Sequence, residues 1–211
     1  MTTILATKAA IRRDATKYSY RGECGRILVK KVSTKAHDYL TNYLIMGCYI
    51  IKNQKVAIGD SLFLKGEKAL IAQDNIAKHT IIFLYEDTAT DQRTRTSIQV
   101  AVDKHIEPGD FGAFANHSCE PNTQIIANYD EERNVAQILM LSIKPIRKGE
   151  EITFDYATTE TTVTSGLLNK ICLCGSKNCR GKITGFNELS APHQMELLAN
   201  ELTANYLQLT E

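Results

Sequence analysis

Three cysteines fall within eight residues near the C-terminal end of the chain, in the run Cys172-Leu173-Cys174-Gly175-Ser176-Lys177-Asn178-Cys179. This cluster restricts the fold more tightly than any other feature. A Cys-x-Cys-x4-Cys run that also carries Gly and Asn can wrap its thiolates around one ion, the alternative being free, incidental thiols, and structural zinc takes four sulfur or nitrogen ligands in a tetrahedron. A fourth ligand must come from elsewhere, and Cys24, Cys48, Cys119, His117 and His193 are the candidates. The preceding segment is too polar to fold by burial alone. Between Thr158 and Lys170 its clear hydrophobes are Val163, Leu167 and Leu168, so metal binding would order it. Four thiolates leave no coordination position for water, which makes such a metal structural and not hydrolytic.

Whether thiols meet a metal or pair as disulfides depends on the compartment. The chain begins Met1-Thr2-Thr3-Ile4-Leu5-Ala6-Thr7-Lys8, with no long apolar run behind a basic start. No stretch approaches the roughly 18 apolar residues of a membrane span, so no membrane partner is expected. A reducing cytoplasm, or a nucleus in a eukaryotic cell, is the expected location, and there clustered cysteines bind metal. Lys and Arg total 25 against 24 Asp and Glu over 211 residues, a net charge of +1. That balance lacks the basic excess of a nucleic-acid binder, so no direct nucleic-acid contact is expected. A hydrophobic content of 43 % suits a chain that buries its own core.

The pattern is mainly β, a β-rich α+β chain of many short strands. Arg26–Lys30 reads as a strand, and Ser33-Thr34 caps a helical spacing of Ala36, Tyr39, Leu40, Tyr43 and Leu44. Short strands follow at 48–51, 61–64, 69–72, 80–85 and 97–102, the last alternating Ile98, Val100 and Val102 with Ser97, Gln99 and Ala101. Further strands fit 123–128, 135–143 and 151–154. Turns are signalled at Ile58-Gly59-Asp60, Lys65-Gly66-Glu67, Pro108-Gly109-Asp110 and Lys148-Gly149-Glu150. Residues 158–164 are Thr-rich and read as a loop. The tail reads as a helix, with Ser190 as its cap, Pro192 in its first turn, and Met195, Leu197, Leu198 and Leu202 following.

Two further segments carry chemistry. One is Phe114-Ala115-Asn116-His117-Ser118-Cys119-Glu120-Pro121-Asn122, and the other is Lys148-Gly149-Glu150-Glu151-Ile152-Thr153-Phe154-Asp155-Tyr156. Alone, each could be a polar turn or a turn into an edge strand. In order with the cysteine run and the Arg180-Gly181 that ends it, they resemble the two signature motifs and the post-SET zinc motif of the SET-domain methyltransferases. The resemblance covers roughly residues 44 to 186.

The resemblance implies a SET-domain fold: several small sheets, a knot-like threaded C-terminal segment, a zinc-stabilised post-SET loop and a C-terminal helix. The division that follows is an N-terminal extension over 1–43, the SET domain over 44–157, the zinc segment over 158–186 and the helical tail over 187–211. It implies one structural zinc ion on Cys119, Cys172, Cys174 and Cys179, leaving Cys24 and Cys48 as ordinary thiols. It implies S-adenosylmethionine as the methyl donor. Contacts to that donor would come from Gly47, Cys48 and Tyr49, from Asn116 and His117, from Tyr156, from Leu173 and from Phe186, the last also suited to anchoring the tail. Tyr156 is the implied catalytic tyrosine, and Phe154 lines the reacting centre, where a Phe leaves room for more than one methyl transfer to a nitrogen. The acceptor is expected to be a protein lysine. Tyr49 stands where the family has its second glycine, Ala113 where it often has arginine, and Leu62-Phe63-Leu64-Lys65 where it often has a tyrosine. These departures keep open a small amine or peptide-like metabolite as acceptor, or a silent SET-fold binding module. The sequence leaves the oligomeric state open.

Overall fold

The computed structural model describes residues 18–19, 51–53, 55–163, 166–167 and 170–209. The strand expected at 26–30, the helix expected over 36–44, the Gly47-Cys48-Tyr49 segment, Cys24 and Leu168 lie outside the described residues.

Eleven short strands are present among the described residues, in chain order β1 (Tyr18–Ser19), β2 (Ile51–Asn53), β3 (Val56–Asp60), β4 (Lys68–Ala72), β5 (Ile81–Thr88), β6 (Ile98–Ala101), β7 (Lys104–Ile106), β8 (Asn116–His117), β9 (Thr123–Asp130), β10 (Val135–Ser142) and β11 (Thr153–Phe154). They form one five-stranded sheet in the order β1-β2-β5-β10-β9 and three two-stranded sheets, β3-β4, β6-β7 and β8-β11. The main core lies between these small sheets. Leu70, Ile82, Ile106, Ile138, Met140 and Ile152 are all within 1 % of full burial. Burying each such side chain contributes about 1.5–3 kcal/mol. A smaller cluster of Ala157, Phe186, Leu189, Ala204, Tyr206 and Leu207 ties the C-terminal tail to the residue after Tyr156.

Several local expectations change in the structure. Residues 61–64 are a turn and not a strand, because the Ser61 hydroxyl oxygen accepts from the backbone of Phe63 and Leu64 at 3.2 and 2.9 Å. A serine that bonds its own backbone in this way competes with a strand ladder. The strand lies earlier, as β3, with Gly59 inside it and not at a turn. A Cβ at Gly59 would sit 2.9 Å from Ile71 Cγ1, so this glycine permits close packing. In β6 the expected alternation holds for Ile98 and Val100, which are buried, but Val102 is 58 % exposed and Gln99 is buried. Gln99 tolerates burial because its side chain is bonded: Oε1 accepts from the backbone and hydroxyl of Thr161, and Nε2 donates to Ala101 O. Of the strand expected at 151–154, only Thr153–Phe154 forms a ladder, while Glu151 makes a single bridge to Ile71.

Among the described residues 158–163 there is no strand, as expected, yet Thr158, Thr159 and Glu160 are buried. The turn signal at Pro108 opens the four-residue helix α1 (Gly109–Gly112). The tail forms α2 (Ala191–Ala199), with Pro192 in its first turn. Ser190 sits at the cap position without a capping bond, its hydroxyl instead 3.1 Å from His193 Nδ1. Met195 is 70 % exposed, whereas Leu197 and Leu198 pack on the smaller core. The chain then closes on a 3-10 turn over Asn205–Leu209.

Candidate functional site

The two polar motifs meet in the parallel pair β8-β11, where Thr153 lies opposite Asn116 and Phe154 opposite His117. Bonds on both sides hold residues 151–154 in place. The Ser118 amide donates to Phe154 O at 3.0 Å. Asn122 accepts from the Thr153 amide at 2.9 Å and donates to Glu151 O at 2.7 Å, and the Thr123 hydroxyl donates to Thr153 O at 2.8 Å. From the opposite side the Ile152 amide donates to Leu70 O at 2.8 Å. Asn116 donates from Nδ2 to Lys68 O at 3.1 Å. Asn122 is thus a structural clamp, spending both ends of its amide on the other motif.

This pairing sets Tyr156 beside both motifs. Its ring meets Phe154 at 4.9 Å and His117 edge-on at 5.2 Å. Its hydroxyl points toward Ala115 O at 3.4 Å. Burial pushes the phenol up to about 12, so it stays neutral and retains its proton. His117 is buried and pulled down to about 4 by desolvation, against the Asp155 carboxylate. The partners of the neutral ring fix its tautomer. Nδ1 accepts from the Tyr156 amide at 3.3 Å, which leaves the proton on Nε2, 3.4 Å from Cys119 Sγ. The 3.5 Å approach of Nδ1 to Asp155 Oδ1 is therefore a contact and not an ion pair.

Asp155 spends its charge elsewhere. Arg180 Nη1 and Nη2 donate to its two oxygens at 2.6 and 2.7 Å, and the Ala157 amide adds a bond at 3.1 Å. The carboxylate side chain is 3 % exposed and the guanidinium side chain 14 %.

The cysteine cluster lies next to this fork. The sulfurs of Cys119, Cys172, Cys174 and Cys179 are all within 4.8 Å of one another, with Cys119 to Cys172 at 3.8 Å. A tetrahedral zinc with bonds of about 2.3 Å has sulfur–sulfur edges of about 3.8 Å. The spacing is far beyond the roughly 2.05 Å of a disulfide. Backbone amides of Arg180 and Gly181 point at Cys119 and Cys179 sulfur, both at 3.4 Å, which favours thiolates. Without a cation, burial pushes the Cys119 thiol up to about 11 and the Cys172 thiol up as well. The Cys174 thiol is instead pulled down to about 6, with the Ser176 hydroxyl beside it, and four sulfurs this close suit a bound dication, which favours thiolates. This donor set fits zinc. Of the five candidates for a fourth ligand, the fold brings Cys119 to the cluster.

One side chain beside the cluster, Phe63, had no signal in the sequence. The Phe63 ring lies over Gly175, where a Cβ would stand 2.8 Å from it. Gly175 also has a φ of +69°, so glycine is required there for both space and conformation. Leu173, between two cysteines, is 56 % exposed. Phe186 is buried in the smaller core against Ala157.

Beside Phe154 and Tyr156 a cleft opens to solvent. Its walls include Arg93, Arg95, Ile98, Ala115, Glu160 and Val163. Arg93 Nη2 donates to Glu160 Oε2 at 3.0 Å, and the other Glu160 oxygen accepts from the Gln99 amide at 2.8 Å. This ion pair was not apparent from the Thr-rich segment that contains Glu160. No helix among the described residues is long and apolar enough to cross a membrane.

Comparison with known proteins follows the same lines. Over 74 residues the chain is 39 % identical to the histone-lysine N-methyltransferase, H3 lysine-9 specific KMT1 of Fusarium mangiferae, covering 32 % of this chain and 22 % of that protein. Over 119 residues it is 29 % identical to methyltransferase flvH of Aspergillus flavus, covering 52 % of this chain and 62 % of that protein. The chain therefore spans less than two thirds of either relative. Among solved structures, KRYPTONITE in complex with mCHG DNA and SAH matches with a TM-score of 0.52 at 20 % identity, over 67 % of this chain and 31 % of that one, a likeness of fold. The SET domain family profile matches residues 25–157. With that profile spanning both polar motifs and the four-cysteine cluster following it, the chain belongs to the SET-domain methyltransferase family.

Proposed function

We propose that the chain is an S-adenosylmethionine-dependent N-methyltransferase, with a protein lysine as its first expected acceptor and a small amine or peptide-like metabolite as the second. One observation carries the reading: Asn116-His117, Phe154, Tyr156 and the four cysteines form one continuous constellation at the edge of a cleft. When bound, S-adenosylmethionine supplies an activated methyl group on its sulfonium. Asn116, His117 and Tyr156 are assigned to holding this donor, together with the Gly47-Cys48-Tyr49 segment. The exposed Leu173, with Phe63 over the same loop, offers apolar surface for it to cover. Phe186 supports the site from the tail core.

The residues at the cleft have positioning roles. The neutral Tyr156 phenol orients the attacking nitrogen in line with the methyl group. Desolvation in the apolar part of the cleft favours the neutral amine, so no strong general base is needed. Phe154 adds no hydroxyl at the reacting nitrogen, which favours successive transfers. Cys119, Cys172, Cys174 and Cys179 are assigned one structural zinc that locks the post-SET loop onto the donor motif through Cys119.

The test has two arms. Calorimetry with S-adenosylmethionine separates an enzyme from a silent module, which does not bind it. A lysate treated with the labelled donor and fractionated into proteins and small molecules then assigns the acceptor. Saturable binding with label in one fraction supports the reading, and absence of binding removes it.

A further inference from the structure

The cleft beside Tyr156 has uneven charge. Its wall is apolar at Ile98, Phe154, Val163 and Leu167, which suits a methylene chain. The charged groups on it are Arg93, Arg95 and Glu160. Glu160 is committed: Arg93 takes one oxygen and the Gln99 amide the other, with the Thr159 hydroxyl also directed at it. Arg93 is committed to the same pair and to the Thr162 hydroxyl at 3.1 Å. Glu160 has both oxygens occupied, and the one Arg93 nitrogen without a partner among the described residues, Nε, is buried.

Arg95 is different. Its side chain is 73 % exposed and is held by Glu67 at 3.1 Å, a partner that is itself 50 % exposed. Such surface pairs are screened and contribute little, so a better-placed carboxylate replaces this one readily. The loop that carries Arg95 is braced. The Thr94 and Thr96 hydroxyls both donate to Glu107, and the Thr94 amide donates to Ser97 Oγ at 2.9 Å. The arginine is thus presented from a fixed backbone on a flexible, exchangeable side chain. Arg95 and Tyr156 line the same cleft, which sets the guanidinium on the wall that the reacting centre faces.

We propose that the cleft selects an amine that carries a carboxylate near it, with the Arg95 guanidinium replacing Glu67 by that carboxylate as its partner. This rests on the amine-methylation reading and narrows its acceptor. An ω-amino acid or a lysine next to an acidic residue has this chemistry, whereas a lysine among arginines is repelled. A guanidinium matches a carboxylate with two parallel bonds, the strongest neutralising contact available on the wall. The same positive charge disfavours protonation of the amine and so aids attack.

The test uses the full chain saturated with S-adenosylhomocysteine, so that binding is read without turnover. Calorimetry compares 6-aminohexanoate with 6-aminohexanamide, and a lysine peptide flanked by Asp with one flanked by Arg. The expected result is about tenfold tighter binding of the carboxylate than of the amide. Arg95→Gln should level the two, and Glu67→Gln, which removes the competing partner, should widen the gap. Tighter binding of the Asp-flanked peptide than of 6-aminohexanoate identifies a peptide as the source of the carboxylate, and the reverse identifies a free amino acid. Equal binding of acid and amide, equal loss of both in Arg95→Gln, or weakened S-adenosylmethionine binding in that variant overturns the proposal. Carboxylate preference without any methyl transfer from the labelled donor would instead overturn the methyltransferase reading and leave the charge selectivity standing.

Discussion

Arg180 and Asp155 join in a two-bond fork at 2.6 and 2.7 Å, linking the residue after the last zinc-site cysteine to the residue before Tyr156. The post-SET loop and the tyrosine motif are therefore fastened twice, once by this pair and once through Cys119. Removing one partner leaves a buried charge unpaired, which costs about 3 kcal/mol. Arg180→Leu should lower the urea unfolding free energy by about that amount with zinc kept saturating. Asp155→Asn combined with Arg180→Leu should recover part of it. A double variant no better than the single would show that the fork acts through packing and not charge.

Removal of zinc should loosen the post-SET loop before the sheets. The main core draws its stability from Leu70, Ile82, Ile138 and Met140, in an apolar cluster that includes none of the four cysteines. A chelator should therefore abolish methyl transfer while the far-ultraviolet circular dichroism keeps its β signal. Cys119→Ser should lower bound zinc measured by elemental analysis. Retained transfer after verified zinc loss would separate the metal from the activity.

Tyr206 places its hydroxyl between the carbonyl oxygens of Gln99 and Thr159, with the Gln99 contact at 2.7 Å. The tail thereby braces the segment that carries Glu160. Tyr206→Phe leaves buried carbonyls short of a donor, at a cost of about 1–3 kcal/mol. Chemical denaturation should report that loss. An unchanged midpoint would mean that the carbonyls find other donors.

His105 gives a defined pH dependence. Burial lowers its pKa below 6.5, helped by the nearby Arg93 charge, and its buried Nδ1 has no hydrogen-bond partner among the described residues. The unfolded chain therefore binds a proton more readily than the folded one at pH values between the lowered pKa and 6.5. Stability contributed by the neutral ring is complete above pH 6.5 and is lost as pH falls through that window. His105→Gln should lose less stability than the parent between pH 7.5 and 5.5, read as urea midpoints. Parallel losses would place the acid sensitivity elsewhere.

The family and the metal set were legible because they depend on residue type and order. Cys172, Cys174 and Cys179 announce themselves by spacing, and the resemblance supplied Cys119 before the fold brought its sulfur to theirs. Long strands such as β9 and β10 were legible from their apolar runs. The turn at 61–64 was not, because one serine hydroxyl outweighs the β propensity of Leu62-Phe63-Leu64. The burial of Gln99 and Glu160 was also hidden, since a polar residue enters the core when distant partners satisfy it. Those partners are Thr161 and Arg93, which no local pattern relates to them. The arginines of the cleft became meaningful only when the fold set them beside Tyr156.

In the proposed reaction this constellation moves a methyl group to an amine and Tyr156 positions the attack. Its most direct test is transfer of the labelled methyl from S-adenosylmethionine to an amine acceptor by the parent chain and by Tyr156→Phe. Both proteins should bind the donor equally, and the variant should transfer at least about a hundredfold more slowly, since misplacing the reacting atoms by an ångström has that effect. Equal transfer by the two proteins, or none by the parent with donor and acceptor both bound, would contradict it.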